Sequence, residues 1–262
     1  MPAPAVTTDA FLGGRVVAVQ PGKDHHRSGL EAVLLGSSVP SDFAGSIVDL
    51  GAGSGVAGFC AAKRCGGASV LLVERETELV EAARASLALP ANAGIAPRVR
   101  VLAADLAETS ALRSEEGRAD LVIANPPFNP SRSMAPSPKG GRAAAHAIRA
   151  GGLENWVQAA NRLLKAGGRV TFILRPDNLP ELLASLGVAF GTIDLLPLHP
   201  RPGEAAHRLL VTALKAGRAP LRLLPALCLH GETGNAYLPA IEAILREGAA
   251  LTSAAPAWQG RR

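Results

Sequence analysis

Three glycines at alternate positions follow a short apolar segment, in the run DLGAGSG at residues 49–55. Glycine permits a tight turn and lets the backbone approach a ligand without interference from a Cβ atom. The helix expected after the loop would present free N–H groups and the positive end of its dipole. Glu74 lies about 20 residues beyond the loop, at the end of the next apolar segment, where a carboxylate accepts both hydroxyls of a ribose. The pattern predicts a nucleotide-like cofactor, and nicotinamide, flavin and S-adenosylmethionine binders all share it.

A second group with chemical potential is the run Asn125-Pro126-Pro127-Phe128, which directly follows another apolar segment. Two consecutive prolines lack N–H donors and stiffen the chain, so the carbonyl groups beside them are available as acceptors. Together with the side-chain oxygen of Asn125, they can receive both hydrogens of a planar amine and turn its lone pair toward a methyl group. Phe128 offers a ring for the planar substrate to stack on, worth roughly 1–3 kcal/mol. We therefore expect these four residues to form the catalytic site, acting by positioning and by exclusion of water.

Apolar segments that end in these loops alternate with segments of helical periodicity along the chain. The pattern predicts an α/β protein with a mostly parallel, doubly wound sheet, whose sites lie at the carboxyl ends of the strands. The predicted strands are 46–50, 69–73, 99–103, 120–124, 169–174, 190–196 and 207–215. The predicted helices are 30–35, 56–65, 77–89, 153–165 and 178–186, the fourth of them closed by the Gly167-Gly168 pair after Lys165.

Three regions are expected from the same patterns. Residues 1–45 form an N-terminal preface, with a hairpin around a Gly-Gly turn and a helix that pack on the catalytic domain. Residues 46–217 form the cofactor-binding domain. Residues 218–262 form a C-terminal extension, with a strand near 223–229, a helix over 237–247 and a frayed tail after Thr252.

The chain resembles the class I S-adenosylmethionine-dependent methyltransferases of the NPP[F/Y] type, through DLGAGSG at 49–55 and NPPF at 125–128. Within that class it is most similar to the bacterial valine-tRNA adenine-N6 methyltransferases, which modify the adenine at position 37, beside the anticodon. The segment SGLEAVLLG at 28–36 also supports this likeness, which extends from Phe11 to about Leu251. It implies a Rossmann-like seven-stranded methyltransferase fold, S-adenosylmethionine as the cofactor and tRNA as the partner.

The resemblance also implies roles for individual residues. Asp105 would accept from the adenine amino group of the cofactor, and Ser28-Gly29 would lie over its methionine end. Glu31 stands where the family pattern has Asp, so we treat it as a helix-start residue near the cofactor pocket. The cofactor-binding residues implied are Ser28, Gly29, Asp49, Gly51, Gly53, Gly55, Glu74, Asp105 and Asn125. Among them, Asp49 is expected to be a structural or amino-group contact.

Other acceptors fit the same loop, because guanine N2 of ribosomal RNA and the glutamine side chain of a release factor also present a planar NH2 group. The short preface and the lack of a large extra substrate domain favour tRNA over both. A nicotinamide-dependent oxidoreductase is disfavoured, because the single tyrosine, Tyr237, is not part of a Tyr-x-x-x-Lys motif.

The charge balance permits a polyanionic partner: 27 Lys and Arg against 22 Asp and Glu give a net charge of +5 over 262 residues. Between Asn125 and Arg175 there are eight cations and one acid, Glu154, so we expect an RNA backbone to pass here. Four cations nearest the NPPF loop are predicted to bind RNA: Arg132, Lys139, Arg142 and Arg149.

The cysteines and the apolar stretches predict features that this protein lacks. Three cysteines without ligand-like spacing predict a reducing compartment and no metal site, and the Cys60/Cys65 pair within a predicted helix is expected to be buried thiols. The longest apolar stretches are too short and too interrupted to span a membrane, and no signal peptide is visible. We therefore expect a cytoplasmic enzyme, either a monomer or a weak dimer.

Overall fold

A computed structural model of the protein describes residues 6–22, 27–127 and 152–258. The strands are β1 (Val6–Phe11), β2 (Val16–Pro21), β3 (Ser46–Leu50), β4 (Ser69–Glu74), β5 (Val99–Ala103), β6 (Ala119–Ala124), β7 (Leu164–Leu174), β8 (Phe190–His199), β9 (Arg208–Lys215), β10 (Arg222–Leu223) and β11 (Leu227–Cys228). The helices are α1 (Leu30–Ser37), α2 (Val56–Arg64), α3 (Thr77–Leu87), α4 (Gly152–Leu163), α5 (Leu179–Leu186) and α6 (Pro239–Glu242), and α6 continues as a π-helical turn over Ala243–Glu247.

The main sheet has the order β5-β4-β3-β6-β7-β9-β8, with β10 and β11 both paired to the outer edge of β8. β9 runs antiparallel to β7 and β8, and every other pair in this sheet is parallel. The predicted mostly parallel α/β fold is therefore confirmed, with seven principal strands. The single strand expected near 223–229 is instead two strands of two residues each, separated by three residues.

Both faces of the central strands are covered, which explains why β3 and β6 are apolar almost throughout. Ile47 and Ile123 belong to one hydrophobic cluster, while their neighbours Val48 and Val122 belong to another on the opposite face. Parallel pairing places the ends of β3, β4, β5 and β6 along one edge of the sheet. The loops that carry the predicted site residues follow at this edge.

The end of α4 differs from the prediction. The helix ends at Leu163, and β7 begins at once, because Leu164 pairs with Ala119 of β6 and the Lys165 ammonium binds Asp120. The register between β6 and β7 shifts in the segment that contains Gly167, whose φ is +71°. The Gly167-Gly168 pair thus lies within an irregular part of β7 and does not cap the helix.

The hairpin and the C-terminal segment share the hydrophobic core on one face of the sheet. Leu12 and Val16 of the hairpin belong to the same cluster as Ile244 and Trp258. The prediction of a frayed tail after Thr252 is wrong for the residues up to Trp258. Trp258 is 7% exposed, and its Nε1 donates to the carbonyl of Ser38 at 3.1 Å. The boundaries of the three predicted regions stay predictions.

Trp258 is therefore expected to contribute to stability in spite of its position near the end of the chain. Replacing a buried aromatic by alanine leaves a cavity, so Trp258→Ala should lower the free energy of unfolding by about 3–5 kcal/mol in urea titrations. Leu223→Ala, at a side chain that is 69% exposed, is the control and should change it by less than about 0.5 kcal/mol. Equal stability of the two variants would contradict this role.

Candidate cofactor and substrate site

The glycine loop connects β3 to α2 in a left-handed backbone conformation. Gly51, Gly53 and Gly55 have φ values of +59°, +58° and +89°. A Cβ atom on Gly51 would overlap the Trp156 ring, and one on Gly55 would lie 2.7 Å from Phe59 Cζ. At Gly53 the nearest atom to such a Cβ would be Ser28 Oγ, 4.0 Å away. Packing within the protein thus excludes side chains at two of the glycines, whereas a Cβ atom on Gly53 would make one contact at an ordinary van der Waals distance.

Glu74 fixes this loop from the end of β4. Its Oε2 accepts the N–H of Gly53 at 2.8 Å, and its Oε1 accepts the N–H groups of Arg75 and Glu76 at 2.8 and 3.0 Å. The residue is 8% exposed. A carboxylate has about four lone-pair sites, so these three bonds leave one site on Oε2 for a ligand donor.

Asp49, the fourth residue of β3, binds the helix that follows the glycine loop. Its Oδ2 accepts the N–H of Gly58, in the first turn of α2, at 2.8 Å, and the residue is 2% exposed. Burial raises the pKa of Asp49 to about 7, an effect that the Gly58 hydrogen bond reduces and the nearby Glu74 charge increases. Its contact with α2 agrees with a structural role. A contact with the cofactor stays a prediction.

Asp105 follows β5 at the same edge of the sheet. Its Oδ1 accepts the N–H of Ala107 at 2.9 Å, and its Oδ2 lies 3.3 Å from Nη1 of Arg75. Arg75 therefore bridges the loops after β4 and β5, where Glu74 and Asp105 lie. The sheet thus brings together the acidic residues expected to hold the ribose and the adenine of a cofactor.

Ser28 and Gly29 precede α1 and lie across from the glycine loop. Both backbone groups of Ser28 bond to the side chain of Gln20, which also accepts from Ser54 Oγ at 3.3 Å. Ser54 lies within the glycine loop, so Gln20 connects the two segments. Gln20 was missed at the sequence level, where a glutamine near a strand end carries no distinctive signal.

Asn125, Pro126 and Pro127 follow β6, between the glycine loop and β7. Asn125 Oδ1 is buried and has no hydrogen-bond partner among the described residues. A buried acceptor without a partner costs about 1–3 kcal/mol, so this atom is available to a donor brought by a substrate. Phe128 lies outside the described residues, so its stacking role stays a prediction.

Glu31 and Trp156 also lie near this edge, and the structure shows what each of them contacts. Glu31, in the first turn of α1, forms an ion pair with Arg208 of β9, with Oε1 2.9 Å from Nη2. This pair ties the start of α1 to the sheet. The Trp156 ring, on α4, packs against Gly51, a contact that helical periodicity could not reveal because the two residues are far apart in sequence.

The fold places the cations of the basic segment between Asn125 and Arg175 at different edges of the sheet. Lys165 forms an ion pair with Asp120, which lies five residues before Asn125 and therefore about 16 Å from it along β6. Arg169 is paired with Leu121 in the register of β6 and β7. Arg162, in the last turn of α4, donates to the carbonyl of Leu106. Lys165 and Arg169 therefore lie toward the opposite edge of the sheet, so the expectation that an RNA backbone passes along this segment is wrong for these two residues.

The four cations predicted to bind RNA, Arg132, Lys139, Arg142 and Arg149, lie outside the described residues. Arg175 is described and follows the carboxyl end of β7, where it contacts Asp177 at 3.3 Å. Among the described cations of the basic segment, Arg175 is the one that the fold places at the edge of the sheet that carries the glycine loop.

A metal site would need several ligating side chains close together, and a membrane span would need a long apolar helix. Residues 6–22, 27–127 and 152–258 contain no group of three His, Cys, Asp or Glu side chains placed to hold a metal ion. Within these ranges, no helix has the length and apolar character needed to cross a bilayer. Cys60 and Cys65 are buried free thiols, as predicted, and burial raises the pKa of Cys60 to about 12.

The fold and the site define a class: a doubly wound α/β protein with a glycine-rich cofactor loop, acidic residues after the next two strands and an Asn-Pro-Pro turn after β6. The family model for the methyltransferase small domain matches residues 29–196. The chain belongs to this family.

Individual relatives agree with this assignment. The chain is 34% identical over 165 residues to the tRNA1(Val) (adenine(37)-N6)-methyltransferase of Porphyromonas gingivalis strain W83, covering 60% of this chain and 61% of that protein. It thus matches about three-fifths of the length of that relative. It is 29% identical over 225 residues to the protein of the same name from Pasteurella multocida, covering 82% and 88%.

A solved structure is also similar. The crystal structure of a predicted O-methyltransferase from Agrobacterium tumefaciens shares 35% sequence identity with a TM-score of 0.71, and the match covers 84% of this chain and 97% of that one. S-adenosylmethionine is accordingly the cofactor. The site fits it, because no atom lies closer than 4.0 Å to the vacant Cβ position of Gly53 and Glu74 retains an acceptor site beside that glycine.

The pKa of Asp49 predicts a pH dependence of stability. Between about pH 4 and pH 7 the native state keeps a proton that the unfolded chain has lost, so the free energy of unfolding falls as pH rises, by about 4 kcal/mol in all. Asp49→Asn can still accept from Gly58 but does not ionise. The free energy of unfolding of Asp49→Asn minus that of the wild type should therefore increase by about 3 kcal/mol from pH 5 to pH 8, as measured by urea unfolding.

The control for this prediction is Asp42→Asn, at an exposed aspartate. Its stability relative to the wild type should be the same at pH 5 and at pH 8. A constant difference for Asp49→Asn as well would show that Asp49 does not carry this proton.

Proposed function

We propose that this protein methylates the exocyclic N6 amine of an adenine in tRNA, at position 37 beside the anticodon, with S-adenosylmethionine as methyl donor. The observation that carries the proposal is the buried Oδ1 of Asn125, which has no hydrogen-bond partner among residues 6–22, 27–127 and 152–258 and lies at the edge of the sheet that also holds the glycine loop. The two tRNA-modifying relatives support the choice of substrate. A tRNA substrate also implies a cytoplasmic location.

An amine fits this acceptor better than a hydroxyl group does. An NH2 group has two hydrogens, and Asn125 Oδ1 together with the Pro126 carbonyl offers two acceptors, whereas a hydroxyl has one hydrogen. This supports N-methylation over the O-methylation for which the Agrobacterium protein is named. Guanine N2 and the glutamine amide have the same two hydrogens, so the product must distinguish them from adenine N6.

The residues of this chain act mainly by positioning. Asn125 and Pro126 accept the two amine hydrogens and direct the nitrogen lone pair toward the cofactor, and Phe128 supports the base by stacking. Bound S-adenosylmethionine supplies an electrophilic methyl group on its sulfonium. Glu74 and the glycine loop hold that cofactor in place. The amine proton leaves to solvent after transfer, so no side-chain base is required.

Recognition of tRNA is assigned to the cations that follow the Asn-Pro-Pro turn. Arg132, Lys139, Arg142 and Arg149 follow it within about 25 residues in the sequence. Neutralising phosphates releases counterions, so tRNA binding through them would weaken with added salt. Arg175, at the carboxyl end of β7, is positioned to add to this contact.

Removal of the Asn125 acceptor tests the mechanism. Asn125→Ala should lower methyl transfer to total tRNA by roughly 10²–10³-fold, because a preorganised partner of the reacting amine is lost. Affinity for S-adenosylmethionine, measured by calorimetry, should stay nearly unchanged. Asn161→Ala, in the last turn of α4, is the matched control and should retain wild-type turnover. Wild-type turnover in Asn125→Ala would refute the assigned role.

The substrate is tested by mass spectrometry of nucleosides from total tRNA and ribosomal RNA treated with labelled cofactor. We expect labelled N6-methyladenosine in the tRNA fraction. Labelled N2-methylguanosine would overturn the choice of base while keeping a methyltransferase. Absence of label from RNA, with label in protein, would overturn the choice of RNA.

A further inference from the structure

The side chain of Gln20, at the end of β2, uses its full hydrogen-bonding capacity although it is only 1% exposed. Its Nε2 donates to Asp9 Oδ2 at 2.7 Å and to the carbonyl of Ser28 at 3.2 Å. Its Oε1 accepts the N–H of Ser28 at 2.8 Å and the hydroxyl of Ser54 at 3.3 Å. Two donors and two acceptors are thus all engaged, and the contact with Asp9 fixes which end of the amide is the donor.

These four bonds join three separate parts of the chain. Asp9 lies on β1 and also pairs with Arg27, Ser54 lies in the glycine loop, and Ser28 lies in the segment before α1. The amide of Gln20 pairs with both backbone groups of Ser28, as a neighbouring strand would. Ser28 has no regular secondary structure to hold it, so its backbone position depends on this pairing.

The position of Ser28 matters because of what lies opposite. Ser28 Oγ is the nearest atom to the vacant Cβ position of Gly53, at 4.0 Å. Ser28 and the glycine loop therefore face each other, and Gln20 is bonded to both of them.

We propose that Gln20 is a positioning residue that holds Ser28 against the glycine loop and thereby sets the affinity for S-adenosylmethionine. This inference rests on the proposed function only in placing the methionine end of the cofactor beside Ser28 and Gly53. Gln20 acts through Ser28 and Ser54 and makes no contact with the reacting atoms. Its effect therefore falls on cofactor binding and not on the chemical step.

Only a primary amide of this length satisfies the arrangement. Methionine has nearly the same size and keeps the packing but loses the donors and strong acceptor, so Ser28 is left without a partner. Glutamate keeps the acceptors but, when ionised, loses both donors and places a second carboxylate beside Asp9. These two substitutions thus separate the hydrogen bonds of Gln20 from its volume.

The first test compares Gln20→Met with Gln158→Met, a matched control at an exposed glutamine whose amide contacts Glu154. Calorimetry should show roughly a 10-fold weaker affinity for S-adenosylmethionine in Gln20→Met, equivalent to the loss of one or two hydrogen bonds. At saturating cofactor, kcat should stay within about 2-fold of the wild type, so that the change appears in KM. Unchanged affinity in the folded variant would overturn the inference.

The second test needs no cofactor. In the absence of S-adenosylmethionine, peptides that contain Ser28 should exchange amide hydrogen faster in Gln20→Met than in the wild type, because the Ser28 N–H has lost its acceptor. Exchange elsewhere, for example in β6 and β7, should be unchanged. Equal protection of the Ser28 peptides in both proteins would overturn the inference.

The third test uses Gln20→Glu and remains informative if the methionine variant does not fold. Protonated, the new carboxyl keeps one donor; ionised, it faces Asp9 across the hairpin, with Arg27 as the nearby opposing charge. Burial and Asp9 raise the pKa of the introduced carboxyl, so cofactor affinity should decrease as pH rises from 5 to 8. The wild-type affinity should change less over this range, and parallel profiles for the two proteins would contradict the role of Gln20.

The outcomes separate this inference from the proposed function. If the wild-type protein does not bind S-adenosylmethionine, the proposed function fails, whatever the variants do. If the wild type binds and methylates RNA while Gln20→Met behaves as Gln158→Met, only the inference about Gln20 fails.

Discussion

The site depends on the hydrogen bond from the N–H of Gly53 to Glu74, which joins the ends of two neighbouring parallel strands. Parallel pairing of β3 with β4 brings both ends to one edge of the sheet, and the bond then fixes the glycine loop, which connects β3 to α2. The loop needs left-handed backbone at three glycines, a conformation that costs other residues about 1–2 kcal/mol each. The Glu74 carboxylate holds one of these glycines directly.

Two further polar side chains hold the same loop from opposite sides. Asp49 binds the first turn of α2 from within the sheet, at the cost of a buried acid that titrates near pH 7. Gln20 binds Ser54 and Ser28 from the hairpin. Each side chain is buried, and each would be costly without its partners. The conformation of the loop is thus maintained by satisfied polar groups, and Asn125 Oδ1 differs from them in lacking a partner among the described residues.

Local patterns predict most of this fold because the parallel strands are short, apolar and bounded by turns. The seven principal strands, the loop glycines and Glu74 at the end of β4 follow from residue types and spacing, whereas the role expected of Asp105 is implied only by the family resemblance. Contacts between distant segments do not. Gly51 with Trp156, and Ser38 with Trp258, depend on tertiary packing. The start of β7 at Leu164 was missed because a strand partner at Ala119 outweighs a local glycine signal.

S-adenosylmethionine is expected to bind at the edge of the sheet where Glu74 lies. The most direct measurement is a calorimetric titration of the cofactor into the wild type and into Glu74→Gln, with the fold of both checked by circular dichroism. The amide keeps one acceptor oxygen for the loop but loses the second, and with it the charge that favours the ribose hydroxyls. We expect at least a 10-fold weaker affinity in Glu74→Gln. Equal affinities in two folded proteins would contradict this expectation.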